Sequence, residues 1–155
     1  MTDVVLLCGV AGAGKTTYAR TLEARGYLRL SYDEEMWALG HDSSHATREV
    51  LDEADRRVRD RLGASVGDGV PVVLDASLST RAIRDDFRAL VRRARGVPRL
   101  VVVDAPFEVL VERMRRRLDH ADANNLHLDE RSLRDYVDGF EFPGDEEPHE
   151  LVRTG

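Results

Sequence analysis

The run Gly9-Val10-Ala11-Gly12-Ala13-Gly14-Lys15-Thr16 satisfies the pattern G-x-x-x-x-G-K-[ST] in full. The chemistry it supports is phosphate binding. Glycines let the backbone take strained turns, so several N–H groups converge on phosphate oxygens. A helix starting at the end of the loop adds partial positive charge. Gly9, Ala11, Gly12, Ala13, Gly14 and Thr17 supply the predicted backbone cradle. Lys15 is expected to reach the β- and γ-phosphates, and the Thr16 hydroxyl to ligate Mg²⁺. Lys15 is also the only lysine; every other basic side chain is arginine. A compact ammonium enters a tight anion nest as a point charge, whereas a planar guanidinium does not. Pattern and residue choice together predict ATP and Mg²⁺ as cofactors.

Carboxylates and arginines further along the chain carry the rest of the expected chemistry. Asp33, in Ser31-Tyr32-Asp33-Glu34-Glu35, follows a predicted strand. There it can accept the proton of an acceptor hydroxyl, or cap the short helix behind it. Asp75 ends the apolar run Val72-Val73-Leu74, the setting of a carboxylate that holds Mg²⁺ or its waters, with orienting the acceptor or the loop as the alternative. Asp104 has a similar place, with capping of the Pro106 helix as the alternative. Arg113, Arg115, Arg116 and Arg117 lie late in a predicted helix, before the polar stretch 119–128. Arg113 and Arg117 share a helix face and are the candidates to cover a transferring phosphoryl group, in a lid of about residues 113–128. Arg115 and Arg116 fit a solvated face. Tyr32, Trp37, His41, Asp42, His45 and Arg48 are candidates for an acceptor pocket; the histidines lack zinc-ligand spacing.

These side chains must be placed by a regular framework. Val4 to Cys8, Tyr27 to Ser31, Val70 to Asp75 and Leu100 to Asp104 read as strands, with Leu151 to Thr154 as a short last one. Helices are expected from Lys15 to Arg25, from Asp33 to Leu39, and from a Ser43 or Ser44 cap to Val66. Further helices are expected from a Ser79 or Thr80 cap to Arg95, after Pro106, and from an Asp129 cap to Gly139. Strands alternating with helices predict an α/β fold with a parallel sheet covered on both faces. With 155 residues and no linker or repeat, one domain over 1–155 is the economical reading.

Composition narrows the function classes. A formal net charge of −6 argues against broad binding to nucleic acid or anionic membrane. No apolar run is long enough to span a bilayer, and the N-terminus lacks the features of a signal peptide. The lone Cys8 excludes an internal disulfide and fits the cytoplasm. No N-K-x-D segment for guanine recognition is present, and the chain is too short for the second helical domain of larger ATPase modules.

With these residues in hand, the chain resembles the small P-loop kinases of the AAA_33, zeta-toxin-like and polynucleotide-kinase-like group, and more distantly chloramphenicol phosphotransferase. The resemblance rests on Gly9 to Thr17 with Tyr18-Ala19-Arg20, on Asp33, on Asp75-Ala76-Ser77-Leu78, on Ala105-Pro106-Phe107 leading to Arg113 and Arg117, and on Phe140-Glu141-Phe142-Pro143. It implies a P-loop NTPase fold with a five-stranded parallel sheet of order 2-3-1-4-5. It also implies Asp33 as general base, Arg117 at the transferred phosphate, Arg113 on the adenine or phosphates, and Phe140 to Pro143 beside the adenine. Polynucleotide kinases of the group carry an arginine three residues after the base; here that residue is Met36. The expected activity is therefore ATP-dependent phosphorylation of a small-molecule hydroxyl. A polynucleotide or tRNA hydroxyl kinase and a nucleotide-dependent switch or regulatory ATPase are the alternatives.

Overall fold

The computed structural model describes residues 1–42, 45–120 and 129–155. The elements run β1 (Thr2–Cys8), α1 (Lys15–Glu23), β2 (Leu28–Ser31), α2 (Tyr32–Ala38), α3 (Arg48–Gly67), β3 (Val72–Asp75), α4 (Arg81–Arg93), β4 (Gly96–Asp104), α5 (Phe107–His120), α6 (Glu130–Asp138) and β5 (Glu150–Arg153). The strands form one parallel sheet of order β2-β3-β1-β4-β5. Val4, Val5, Leu6, Leu7 and Cys8 are consecutive and all fully buried. Side chains alternate between the two faces of a strand, so an unbroken buried run requires helices over both faces. This is the P-loop NTPase fold predicted above.

Most helix ends follow simple capping chemistry. Thr80 caps α4 through the Ile83 amide, and Asp129 caps α6 through the Ser132 amide. Two expected caps move. Thr47, not Ser43 or Ser44, caps α3 through the Val50 amide; those two serines lie outside the described residues. Ser31, not Asp33, caps α2 by accepting from the Glu34 amide. The left-handed residue after α4 is Arg95, at φ 69°. Gly96 instead opens β4, where a Cβ would stand 2.7 Å from Val66 Cγ1. Strand β4 thus starts before Leu100. It contains Pro98, which is tolerated because β5 pairs only from Val101 onward and leaves the earlier half an edge.

Charged side chains also tie the layers together. Arg84, on the inner face of α4, is 0% exposed. It donates to both oxygens of Glu147, at 2.8 and 3.0 Å, and to the Leu78 carbonyl at 2.8 Å. Arg88 adds a third bond to Glu147. Burial pushes the Glu147 carboxyl up, but the bonds from Arg84 and Arg88 outweigh it and hold it down at about 2. This cluster pins the segment after α6 against α4, just before that segment enters β5. The Arg134 guanidinium of α6 lies 4.0 Å above the Phe107 ring of α5.

Candidate active site

The parallel strands all end at one edge of the sheet, where ligand crevices form in this architecture. A crevice of about 840 Å³ opens there. Its floor is the loop after β1. Gly9 sits so close to β4 that a Cβ would fall 2.3 Å from the Val103 carbonyl oxygen, and its amide donates to the Ser77 carbonyl at 3.1 Å. Gly14 holds φ 107° immediately before α1, a conformation that disfavours any side chain. No side chain caps α1. Its first-turn amides therefore remain available to an anion, together with the positive end of the helix dipole. Lys15 Nζ donates to the carbonyls of Gly9 (2.8 Å) and Val10 (3.0 Å). Burial lowers its pKa, while Asp75 opposes the shift.

Two distant elements brace this loop. Arg113 Nη1 on α5 donates to the Gly12 carbonyl at 2.7 Å and to Thr154 Oγ1 at 3.0 Å. Thr154 Oγ1 in turn donates to the Ala13 carbonyl at 2.6 Å. Arg113, which also lines the crevice, holds the loop backbone through these bonds.

Beside the loop, Thr16 Oγ1 donates to Asp75 Oδ2 at 2.8 Å. Both are hard oxygens, the donor chemistry Mg²⁺ requires, so the pair fits that ion. Among the described residues, no group of three or more metal-binding side chains exists. Arg29 of β2 occupies the same carboxylate oxygen, with Nε at 3.0 Å and Nη2 at 2.8 Å. Its Nη1 donates to Glu34. In-register pairing of Ser31 with Asp75 puts the ends of β2 and β3 side by side, which makes this contact possible.

Asp33 stands in the first turn of α2, exposed at the rim of the crevice. Because Ser31 serves as the cap, the carboxylate of Asp33 is not committed to the helix end. Arg116 and Arg117 of α5 also line the crevice. Arg116, expected on a solvated face, thus joins Arg117, although it also pairs with Glu112. A second crevice of about 560 Å³ adjoins the first. Arg29, Ser31, Asp33, Glu34, Trp37 and Asp42 line it, and Ser31 and Asp33 are common to both.

Several expected participants lie elsewhere. Phe140 is buried against Phe142, and the Glu141 amide donates to the Ser79 carbonyl. Phe140 to Pro143 therefore do not line either crevice; Val152 and Thr154 of the β5 edge do. Asp104 accepts the Thr154 amide through its carbonyl and lines neither crevice. Of the acceptor-pocket candidates, Tyr32 faces the first crevice and Trp37 and Asp42 the second, whereas His41, His45 and Arg48 line neither. Residues 121–128 of the expected lid lie outside the described residues, and Arg113 to Arg117 belong to α5. Sequence reasoning missed Arg29 and Thr154. Arg29 did carry a signal, as a charge inside an otherwise apolar strand that ends beside Asp33.

Comparison with known proteins agrees with this architecture. Residues 4–143 match the AAA_33 family, described as an AAA domain. No curated protein matches the sequence. Among solved structures, a chain of the Pnkp1/Rnl/Hen1 RNA repair complex superposes with a TM-score of 0.76 at 19% identity, over 89% of this chain and 43% of that one. This chain thus spans less than half of that structure. A putative kinase from Chloroflexus aurantiacus J-10-fl gives 0.73 at 20% identity, over 97% and 86% of the two chains. A gluconokinase from Sinorhizobium meliloti 1021 gives 0.64 at 22% identity, over 97% and 81%. Identities of this size establish a shared fold. With the matched segment covering nearly the whole sequence and the same sheet order in place, the chain belongs to the AAA_33 family of P-loop proteins.

Proposed function

We propose that the chain is one kinase domain that transfers the γ-phosphate of ATP to a hydroxyl of a small molecule. The observation that carries this reading is the place of Asp33, on the wall common to the phosphate-loop crevice and its neighbour. A nucleotide on the loop would present its terminal phosphate toward that wall, and an acceptor in the second crevice would approach from the far side. Asp33 accepts the proton of the attacking hydroxyl. Lys15, the loop amides, Arg116 and Arg117 stabilise charge developing on the phosphoryl oxygens. Thr16 and Asp75 would hold Mg²⁺, directly or through water, and the ion would neutralise phosphate charge. Arg113 and Thr154 act indirectly, by fixing the Gly12 and Ala13 carbonyls.

A nucleic-acid acceptor is less well supported. Met36, in the position of the acceptor-phosphate arginine, is 3% exposed and belongs to the core. Arg29, which lines the second crevice, is already engaged by Asp75 and Glu34.

The test is a mass-detected screen of hydroxyl metabolites and oligonucleotides for γ-phosphate transfer, run on wild type and Asp33→Asn. The variant is expected to bind ATP yet lose at least ~10²-fold in transfer, as for removal of a general base. Equal rates in the two proteins would rule out that role for Asp33. ATP binding with a conformational response but no phosphorylated product would instead identify a nucleotide-dependent switch.

A further inference from the structure

Arg29 breaks the apolar pattern of β2, between Leu28 and Leu30, and its side chain is committed to the site rather than to solvent. Its partner in the sheet register is Val73, two residues before Asp75, so its long side chain runs diagonally to the end of β3. There Nε and Nη2 donate to Asp75 Oδ2 at 3.0 and 2.8 Å, on the same oxygen that accepts the Thr16 hydroxyl at 2.8 Å. The Arg29 and Asp75 side chains are only 7% and 5% exposed. A buried carboxylate that carries a guanidinium has its charge matched in surroundings that screen poorly. The Lys15 ammonium feels the same carboxylate at longer range. Glu34 accepts from the third nitrogen, Nη1, so Arg29 is anchored from a second side. A bare dication approaching Thr16 and Asp75 would therefore meet a resident cation and gain little from the carboxylate. Phosphate oxygens on the loop would supply the negative charge that the matched pair lacks.

We infer that Arg29 makes divalent-cation binding conditional on nucleotide: it neutralises Asp75, and the site admits the metal only together with phosphate. This rests on Thr16 and Asp75 as the metal pair, and not on the identity of the acceptor. The charge of Arg29, rather than the shape of its fork, carries the effect. Without that charge Asp75 is a buried carboxylate with no cation on it, and a dication relieves that state directly.

Mn²⁺ serves as the probe, because its free form is counted directly by its paramagnetic resonance signal. Titrated near neutral pH without nucleotide, Arg29→Gln is expected to bind Mn²⁺ at least ~10-fold more tightly than wild type, and Arg29→Lys to bind it as weakly as wild type. With ADP present, the difference between Arg29→Gln and wild type is expected to fall to about threefold or less, because phosphate then carries the negative charge. Adding Asp75→Asn to Arg29→Gln is expected to erase the gain. By linkage, Mn²⁺ alone should raise the Tm of Arg29→Gln and not that of wild type. Arg29→Met, which fills a similar volume, repeats the comparison should the glutamine variant not fold. Equal nucleotide-free affinity in wild type and the charge-removing variant, a gain that survives Asp75→Asn, or an equal gain in Arg29→Lys would overturn the assignment. None of these titrations needs turnover. The expected pattern without phosphate transfer to any acceptor leaves the role of Arg29 standing and counts against the kinase reading. Transfer with equal Mn²⁺ binding in the two proteins does the reverse.

Discussion

Replacing Glu147 by glutamine removes one charge from a cluster that holds the C-terminal segment against α4, while keeping the shape of the side chain. Arg84 is 0% and Glu147 2% exposed, so neither ion can recover hydration without unfolding. In the variant two guanidiniums converge on a neutral amide. Breaking a buried pair from one side costs about 3–5 kcal/mol. An independent route gives a similar figure. The Glu147 carboxyl is held at about 2 against an ordinary 4.5. A depression of that size corresponds to about 3 kcal/mol of stability near neutral pH, as an upper bound. The folded-state pKa is depressed, so this contribution is present above pH 4.5 and is lost as pH falls toward 2. Urea unfolding of both proteins at steps from pH 7 to pH 2 tests the reasoning. With a urea slope of roughly 2 kcal/mol/M, the variant midpoint is expected to lie about 1.5 M lower at pH 7. The gap should close as pH approaches 2. A gap under about 1 kcal/mol at pH 7, or one that stays constant down to pH 2, would refute the argument.

Three further outcomes follow from the site. Thr154→Val keeps the shape of the side chain but removes the bonds to Ala13 and Arg113; about 1–3 kcal/mol of stability should be lost, with weaker nucleotide binding by calorimetry and an unchanged acceptor Kd. Gly14→Ala puts a Cβ at φ 107° and 3.2 Å from Thr154 Cγ2; strain of about 1–2 kcal/mol should distort the loop, and retention of full ATP affinity would show that the loop relaxes freely. Arg29→Gln releases Asp75 Oδ2 from two donors. Magnesium titrations of the nucleotide complex should then show an altered metal affinity, and an identical titration would mean that Arg29 does not act on the Thr16–Asp75 pair.

How much of this was legible beforehand depends on the range of the interactions. The phosphate loop, the strand-helix alternation and the Thr80 and Asp129 caps are local, because a few adjacent residues fix backbone conformation and hydrogen bonding. The cap of α2 went to Ser31 rather than Asp33 because both are competent acceptors two residues apart, and only backbone geometry chooses between them. Arg84 was hidden because its position on α4 belongs to an apolar face. Only its partner 63 residues away makes burial of the charge tolerable.

The sequence by itself determined the phosphate-binding loop, since Gly9 to Thr16 combines conformational freedom, amide donors and a single ammonium within eight consecutive residues. It also determined the parallel α/β framework, through buried runs too short and too apolar to be surface strands. Tertiary structure alone decided what surrounds that loop. In-register pairing of β2 with β3 brings Arg29 onto Asp75, and the β5 edge carries Thr154 to the loop with Arg113. The fold of α2 sets Asp33 between two crevices while turning Met36 into the core and Trp37 into solvent. Contacts between residues tens of positions apart depend on strand order and register, and no local pattern encodes them.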